Sequence, residues 1–187
     1  MKIKDLILAS IFSSLMCIFT LVHLPLPTPV PFTLQFFGVA ITGGLLGGTL
    51  GAISMIIYIM LGVIGLPVFS GMKGGIQVLV GPTGGYIIGF IMSTFITGYL
   101  LHNFVYKISN NKLKFISTFL VITLGLTVSY LIGTIQLKFV MQLTYLQAIS
   151  AGVLPFIALD LLKVLLATIT IHSIYPVLVK SNLITQK

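Results

Sequence analysis

Long apolar runs, each closed off by lysine or by proline and glycine, decide what this chain can fold into. Of its 187 residues, 57% are hydrophobic and only 6% are charged, where a soluble domain carries about a quarter charged residues. So few charges cannot coat a water-facing surface. The chain reads as an all-α integral membrane protein, a single membrane domain over residues 1–187 with short loops. All ten basic residues are lysine, against two acids, Asp5 and Asp160. In a soluble chain that imbalance would suggest nucleic acid. Here the lysines sit at the ends of apolar runs, where they face the anionic headgroups of the lipid bilayer, and no nucleic-acid partner is expected. Cys17 stands alone in an apolar run, which leaves no disulfide framework and no thiol metal site.

The stretch from Gly65 to Tyr86, GLPVFSGMKGGIQVLVGPTGGY, breaks this pattern. It holds Gly65, Gly71, Gly74, Gly75, Gly81, Gly84 and Gly85 among the chain's 19 glycines, with Pro67, Pro82 and one lysine, Lys73. Glycine this dense lets a ligand or a helix approach the main chain, and neither proline continues an undisturbed helix. Irregular backbone between apolar helices survives only where protein or a water-filled cavity covers it. A binding loop is one reading; a tight packing loop is the other.

The first apolar run, Leu6 to about Leu24, follows a positive start. It is too long for a signal peptide, lacks a small-residue cleavage site and reads as the first membrane helix. Within it Ala9 and Ser13, then Ser10 and Ser14, repeat a small-x-x-x-small spacing. That spacing offers a flat face to another helix, in this chain or in another protein. Pro25, Pro27, Pro29 and Pro31 make an extended connection. Residues 31–67 are too long for one span and predict a short helix, a tight turn and a second helix, with Gly43, Gly47 and Gly51 recurring every four residues. Further spans follow from Tyr86 to about Tyr106, Phe115 to about Leu137 and Val153 to about Val179, with an amphipathic piece from Lys138 to Ser150. The count is six transmembrane helices, the second one short. With both termini cytoplasmic, Lys2, Lys4, Lys107, Lys112, Lys114, Lys180 and Lys187 fall inside and only Lys73 and Lys138 outside, as the positive-inside rule asks. The glycine-rich loop then lies on the outer face.

Asp160 and Lys163 are the most informative side chains. A charge inside a span is expensive and is usually functional or paired. Their i, i+3 spacing puts both on one helix face. If that helix begins near Val153, Asp160 lies about 10 Å along it, a depth that suits a pocket floor; a structural ion pair is the alternative. Gln35, near a helix start, either serves a ligand or bonds to backbone. Tyr86 either lines a pocket or packs. His23, His102 and His172 show no metal-ligand spacing and read as interface histidines. No carboxylate pair and no phosphate loop is present, so no enzyme activity, metal or cofactor is expected.

Four stretches, PFTLQFFGV at 31–39, GLPVFSGMKGG at 65–75, GPTGGYIIGF at 81–90 and PFIALDLLKV at 155–164, carry a resemblance. In order and over most of the chain, they are similar to the BioY-type substrate-binding subunit (S component) of biotin energy-coupling-factor transporters. The resemblance implies an S-component-like bundle of six helices, both termini cytoplasmic, that captures biotin from outside. It implies energisation by a separate transmembrane coupling protein, the T component, and two cytoplasmic ATPases. The substrate-binding candidates are Asp160, Lys163, Tyr86, Gly84, Gly75, Lys73 and Gln35, and the first-helix pair Ala9 and Ser13 is expected to meet the coupling protein. The chemistry suits the ligand: an uncharged ureido ring needs an acceptor and a donor, which Asp160 and Lys163 supply, and an apolar tail needs apolar walls. The competing class is a non-transporting membrane subunit for anchoring or assembly.

Overall fold

The computed structural model describes residues 3–24 and 27–184, so Lys2, Lys187 and Pro25 lie outside the described residues. Helix α1 (Ile3–Leu21) ends earlier than its apolar run, because the next residues turn into a short antiparallel hairpin, β1 (His23–Leu24) with β2 (Phe32–Thr33). Residues 27–30 of the connection expected to be extended form bends. Then come α2 (Gln35–Leu46) and α3 (Gly48–Val63), the expected short helix, turn and helix. Gly47 makes the break with φ of 82°, a conformation that side-chain-bearing residues rarely adopt. After the glycine-rich loop follow α4 (Gly84–Asn103), α5 (Asn111–Met141), α6 (Tyr145–Gly152) and α7 (Ile157–Lys180).

Among the described residues, four segments are long and apolar enough to cross a membrane on their own: Ile3–Leu21, Gly84–Lys107, Asn111–Met141 and Ile157–Lys180. The 12 residues of α2 and 16 of α3 reach only about 18 and 24 Å, short of a hydrocarbon core about 30 Å thick. α2 is apolar all round and buried all round, with only Phe37 half-exposed, as a helix packed at the centre of a bundle must be. α1, α3, α4 and α7 surround it. α5 does the opposite: Leu113, Ile116, Leu120, Leu124, Leu131, Ile135 and Phe139 stand exposed along it, a stripe at helical spacing that meets lipid.

The glycine ladders bring backbones together. Gly98 of α4 sits against the Gly47 break, where an added Cβ would overlap backbone atoms of Gly47 and Gly48 and lie 2.7 Å from the Gly43 carbonyl oxygen. The break also orphans the last carbonyls of α2. One of them, on Gly44, receives the Tyr106 hydroxyl at 2.7 Å and lies 2.9 Å from His102 Nε2. His102 is thus buried between helices.

Ala9 and Ser13 are likewise inside, at 0% and 1% exposure, because that face of α1 packs on α2 and α3. They are not a surface for another protein. The start of α1 meets the turn after α7 at one end of the bundle, where Lys4 Nζ donates to the Asn182 carbonyl at 2.6 Å. Gly98→Ala must push apart backbones that cannot yield, and we expect it to cost about 1–3 kcal/mol, read as a lower thermal midpoint of the detergent-solubilised protein.

Candidate functional site

A cavity of about 420 Å³ opens between the hairpin, the glycine-rich loop, the first turns of α2, α4 and α7 and the middle of α5. Small-molecule sites span about 300–1,000 Å³. It lies at the end of the bundle opposite the Lys4–Asn182 contact. α7 begins at Ile157, not Val153, because residues 153–156 form turns that end at Phe156. Asp160 therefore stands in the first helical turn, about 4.5 Å along rather than about 10 Å, where the helix dipole favours a carboxylate.

Asp160 is held from two sides. Its Oδ1 accepts from Lys163 Nζ at 2.5 Å, and its Oδ2 accepts from the Tyr130 hydroxyl of α5. Lys163 Nζ also lies 3.9 Å from the centre of the Phe32 ring on the hairpin, within cation–π range. Both charged residues are buried, at 6% and 5% exposure, yet both line the cavity. The arrangement presents a strong acceptor beside a strong donor with no net charge between them.

Gln35, Tyr86 and Lys73 line the same cavity. Gln35 donates to the Tyr58 hydroxyl at 2.9 Å and accepts from Thr33 at 3.0 Å, so both ends of its amide brace the hairpin against α3. Tyr86 both packs and lines: its hydroxyl donates to the Gly152 carbonyl at 3.0 Å while its ring forms cavity wall. Lys73 is exposed at the mouth. Gly75 and Gly84 are not among the lining residues. Gly75, with φ of 93°, donates its N–H to the Gly62 carbonyl at 2.6 Å, and Gly84 lies hard against the Leu79 carbonyl and Gln136. They shape the loop; they do not face the cavity.

That loop is tied down. Phe69, 1% exposed, packs edge-on against Tyr58, and Phe69 and Lys73 exchange backbone hydrogen bonds of 2.9 and 3.2 Å. From α5, Gln136 Nε2 donates to the carbonyls of Leu79 at 2.6 Å and Gly81 at 2.8 Å. Tyr130, Gln136, Phe32 and Ser70 were not singled out in the sequence, and no local pattern marks them. Ser70 lines the cavity with a buried hydroxyl that has no hydrogen-bond partner among the described residues.

The BioY family model matches residues 1–180. The chain belongs to the BioY family. Among its relatives, the biotin transporter BioY of Thermotoga maritima is 39% identical over 169 residues, covering 89% of this chain and 92% of that protein. A probable biotin transporter BioY of Pyrococcus horikoshii is also 39% identical, over 90% of this chain and 94% of its own. The fold is similar to the crystal structure of the S-component for biotin from an ECF-type ABC transporter, with a TM-score of 0.85, 29% identity and coverage of 93% and 92% of the two chains. This BioY-family chain is thus an all-helical multi-pass membrane protein of the S-component type.

Two substitutions test how the buried pair is held. Tyr130→Phe removes one of two donors from Asp160 and should cost about 1–3 kcal/mol. Lys163→Met leaves the carboxylate without its charge partner and should cost more, about 3–5 kcal/mol. Thermal melts of the ligand-free proteins should rank them in that order.

Proposed function

We propose that this chain captures biotin at the outer face of a cell membrane, as the S component of an energy-coupling-factor uptake transporter. The observation that carries the reading is the neutral Asp160–Lys163 pair, braced by Tyr130 and Phe32 in the wall of a cavity of small-molecule size. Asp160 accepts the ureido N–H groups and Lys163 donates to the ureido carbonyl. Tyr86, Phe36 and Phe90 wall the apolar tail. The ligand's carboxylate lies toward the mouth, where the Ser70 hydroxyl and Lys73 are available to it.

Lysine placement supports six crossings with both termini in the cytoplasm. Lys4, Lys107, Lys112, Lys114 and Lys180 gather at the end of the Lys4–Asn182 contact, and Lys73 and Lys138 lie at the other. α2 and α3 cross as short helices sheltered by their neighbours, and the cavity then opens outward. A transmembrane coupling protein, the T component, and two cytoplasmic ATPases supply the energy. The coupling protein rests on the Ser10–Ser14 face of α1, next to the buried Ala9–Ser13 face. Ser10 and Ser14 are exposed, and each hydroxyl is turned back onto its own helix, at 2.9 Å from the Leu6 and Ser10 carbonyls. What remains outward is small and free of polar demand, a surface on which a helix packs closely.

Biotin at 100 times its dissociation constant should stabilise the purified chain by about 2.7 kcal/mol. Asp160→Asn should fold and lose most of that gain. Lys73→Ala should keep it but lose much of the wild-type preference for biotin over biotinamide. Absence of any biotin-induced shift in the wild type assigns the chain to an anchoring role instead. Separately, Ser10→Leu should reduce uptake by cells carrying the whole transporter while leaving biotin binding intact; equal loss of both would place that face in internal packing.

A further inference from the structure

A second cavity, of about 1020 Å³, lies at the other end of the bundle, between the start of α5 and the last turns of α7. Its rim carries Lys112, Lys114 and Lys180, and its wall is apolar, with Phe115, Ile116 and Val179. The chain's two acids are Asp5 and Asp160, and neither lines it. Three cations over an apolar slot in a membrane-embedded chain ask for a ligand that is anionic at one end and apolar at the other.

One buried atom sharpens the chemistry. His172 lies in the wall with its Nδ1 3.0 Å from the Thr168 carbonyl and its ring 5.2 Å from that of Phe115. A carbonyl only accepts, so Nδ1 carries the proton and Nε2 of the neutral ring is an acceptor. That Nε2 is buried and has no hydrogen-bond partner among the described residues. An unmet acceptor beside three lysines asks for a donor on the same ligand as the anion. One turn on, Pro176 also lines the slot and interrupts the hydrogen-bond ladder of α7, since it offers no N–H to the residue four before it.

We infer that this slot is a binding site for an anionic phospholipid whose headgroup carries a hydroxyl, of the phosphatidylglycerol kind. The three lysines surround the phosphate, the headgroup hydroxyl donates to His172 Nε2, and an acyl chain runs along Phe115, Ile116 and Val179. Basic pockets between membrane helices take lipid headgroups for this reason. The proposal is independent of the biotin reading, because it uses the opposite end of the bundle and none of the residues around Asp160.

The test uses the full-length protein in detergent, with bound lipid counted by intact-complex mass spectrometry and stability followed by melting. Phosphatidylglycerol should be retained about tenfold better than phosphatidylcholine, and better than phosphatidylmethanol, which keeps the phosphate charge but has no headgroup hydroxyl. The triple change Lys112→Gln, Lys114→Gln, Lys180→Gln should remove most of the first preference, and His172→Phe most of the second. Soluble glycerol phosphate should stabilise little, because it lacks the acyl chain. Equal retention of phosphatidylglycerol and phosphatidylcholine by the wild type would overturn the inference. So would a full response to glycerol phosphate alone, which marks a free-phosphate site, or an unchanged preference in the folded triple variant. Equal retention of phosphatidylglycerol and phosphatidylmethanol by the wild type would remove His172 from it, whether or not His172→Phe folds.

Discussion

Lipid gives apolar helices no hydrophobic reason to associate, so this bundle depends on how closely its backbones approach along α4. Gly98 meets the break at Gly47, Gly85 and Gly89 meet α5 at Ile132 and Ser129, and Gly125 of α5 receives Thr97 and Ser93 in return. α4 is therefore clasped on two sides by contacts that leave no room for a methyl group. Those contacts set α2, at its Gly47 end, and the middle of α5 relative to each other through α4. Gln35 begins one of these helices and Tyr130 sits in the other, so the geometry of the cavity is inherited from glycine.

Polar groups inside the bundle are handled with the same economy. The carbonyl freed by the break at Gly47 is taken up by the Tyr106 hydroxyl beside His102, and the Asp160 carboxylate is shared between an ammonium and a phenol. Desolvation offsets much of the attraction in such a pair, so stability alone does not explain a lysine and an aspartate in that wall. The pair instead leaves an acceptor and a donor side by side in the cavity wall. The hairpin joins in through Phe32, which brings an element with only two residues in each strand into contact with the charge of α7.

Much of this was legible in the sequence, and what was legible follows a physical pattern. Membrane placement came from the scarcity of charge, the break between α2 and α3 from a run too long for one span, and the Asp160–Lys163 pair from the cost of charge within a span. Helix starts were less legible. α7 begins four residues later than its apolar pattern because turn and helix share the same hydrophobicity there. The face of α1 that turns inward was misassigned, since Ala9–Ser13 and Ser10–Ser14 carry the same spacing and only packing tells them apart. Tyr130 and Gln136 were invisible, because each acts on a partner tens of residues away through one side-chain contact. Gly75 and Gly84 were read as facing a ligand when their density in fact serves the loop's own turns.

That loop has a kinetic consequence. It is fastened at three places: by Phe69 in its pocket beside Tyr58, by the Gly75 amide on Gly62, and by Gln136 across Leu79 and Gly81. Because these fastenings belong to α3 and α5 rather than to the loop, it does not peel away residue by residue. Lifting it would require these fastenings to be released together. At about 1 kcal/mol for each hydrogen bond broken, releasing the three on Gly62, Leu79 and Gly81 slows that lifting on the order of a hundredfold. Opening of the loop over the cavity would thus depend on its anchors in α3 and α5 and not on the loop's own turns.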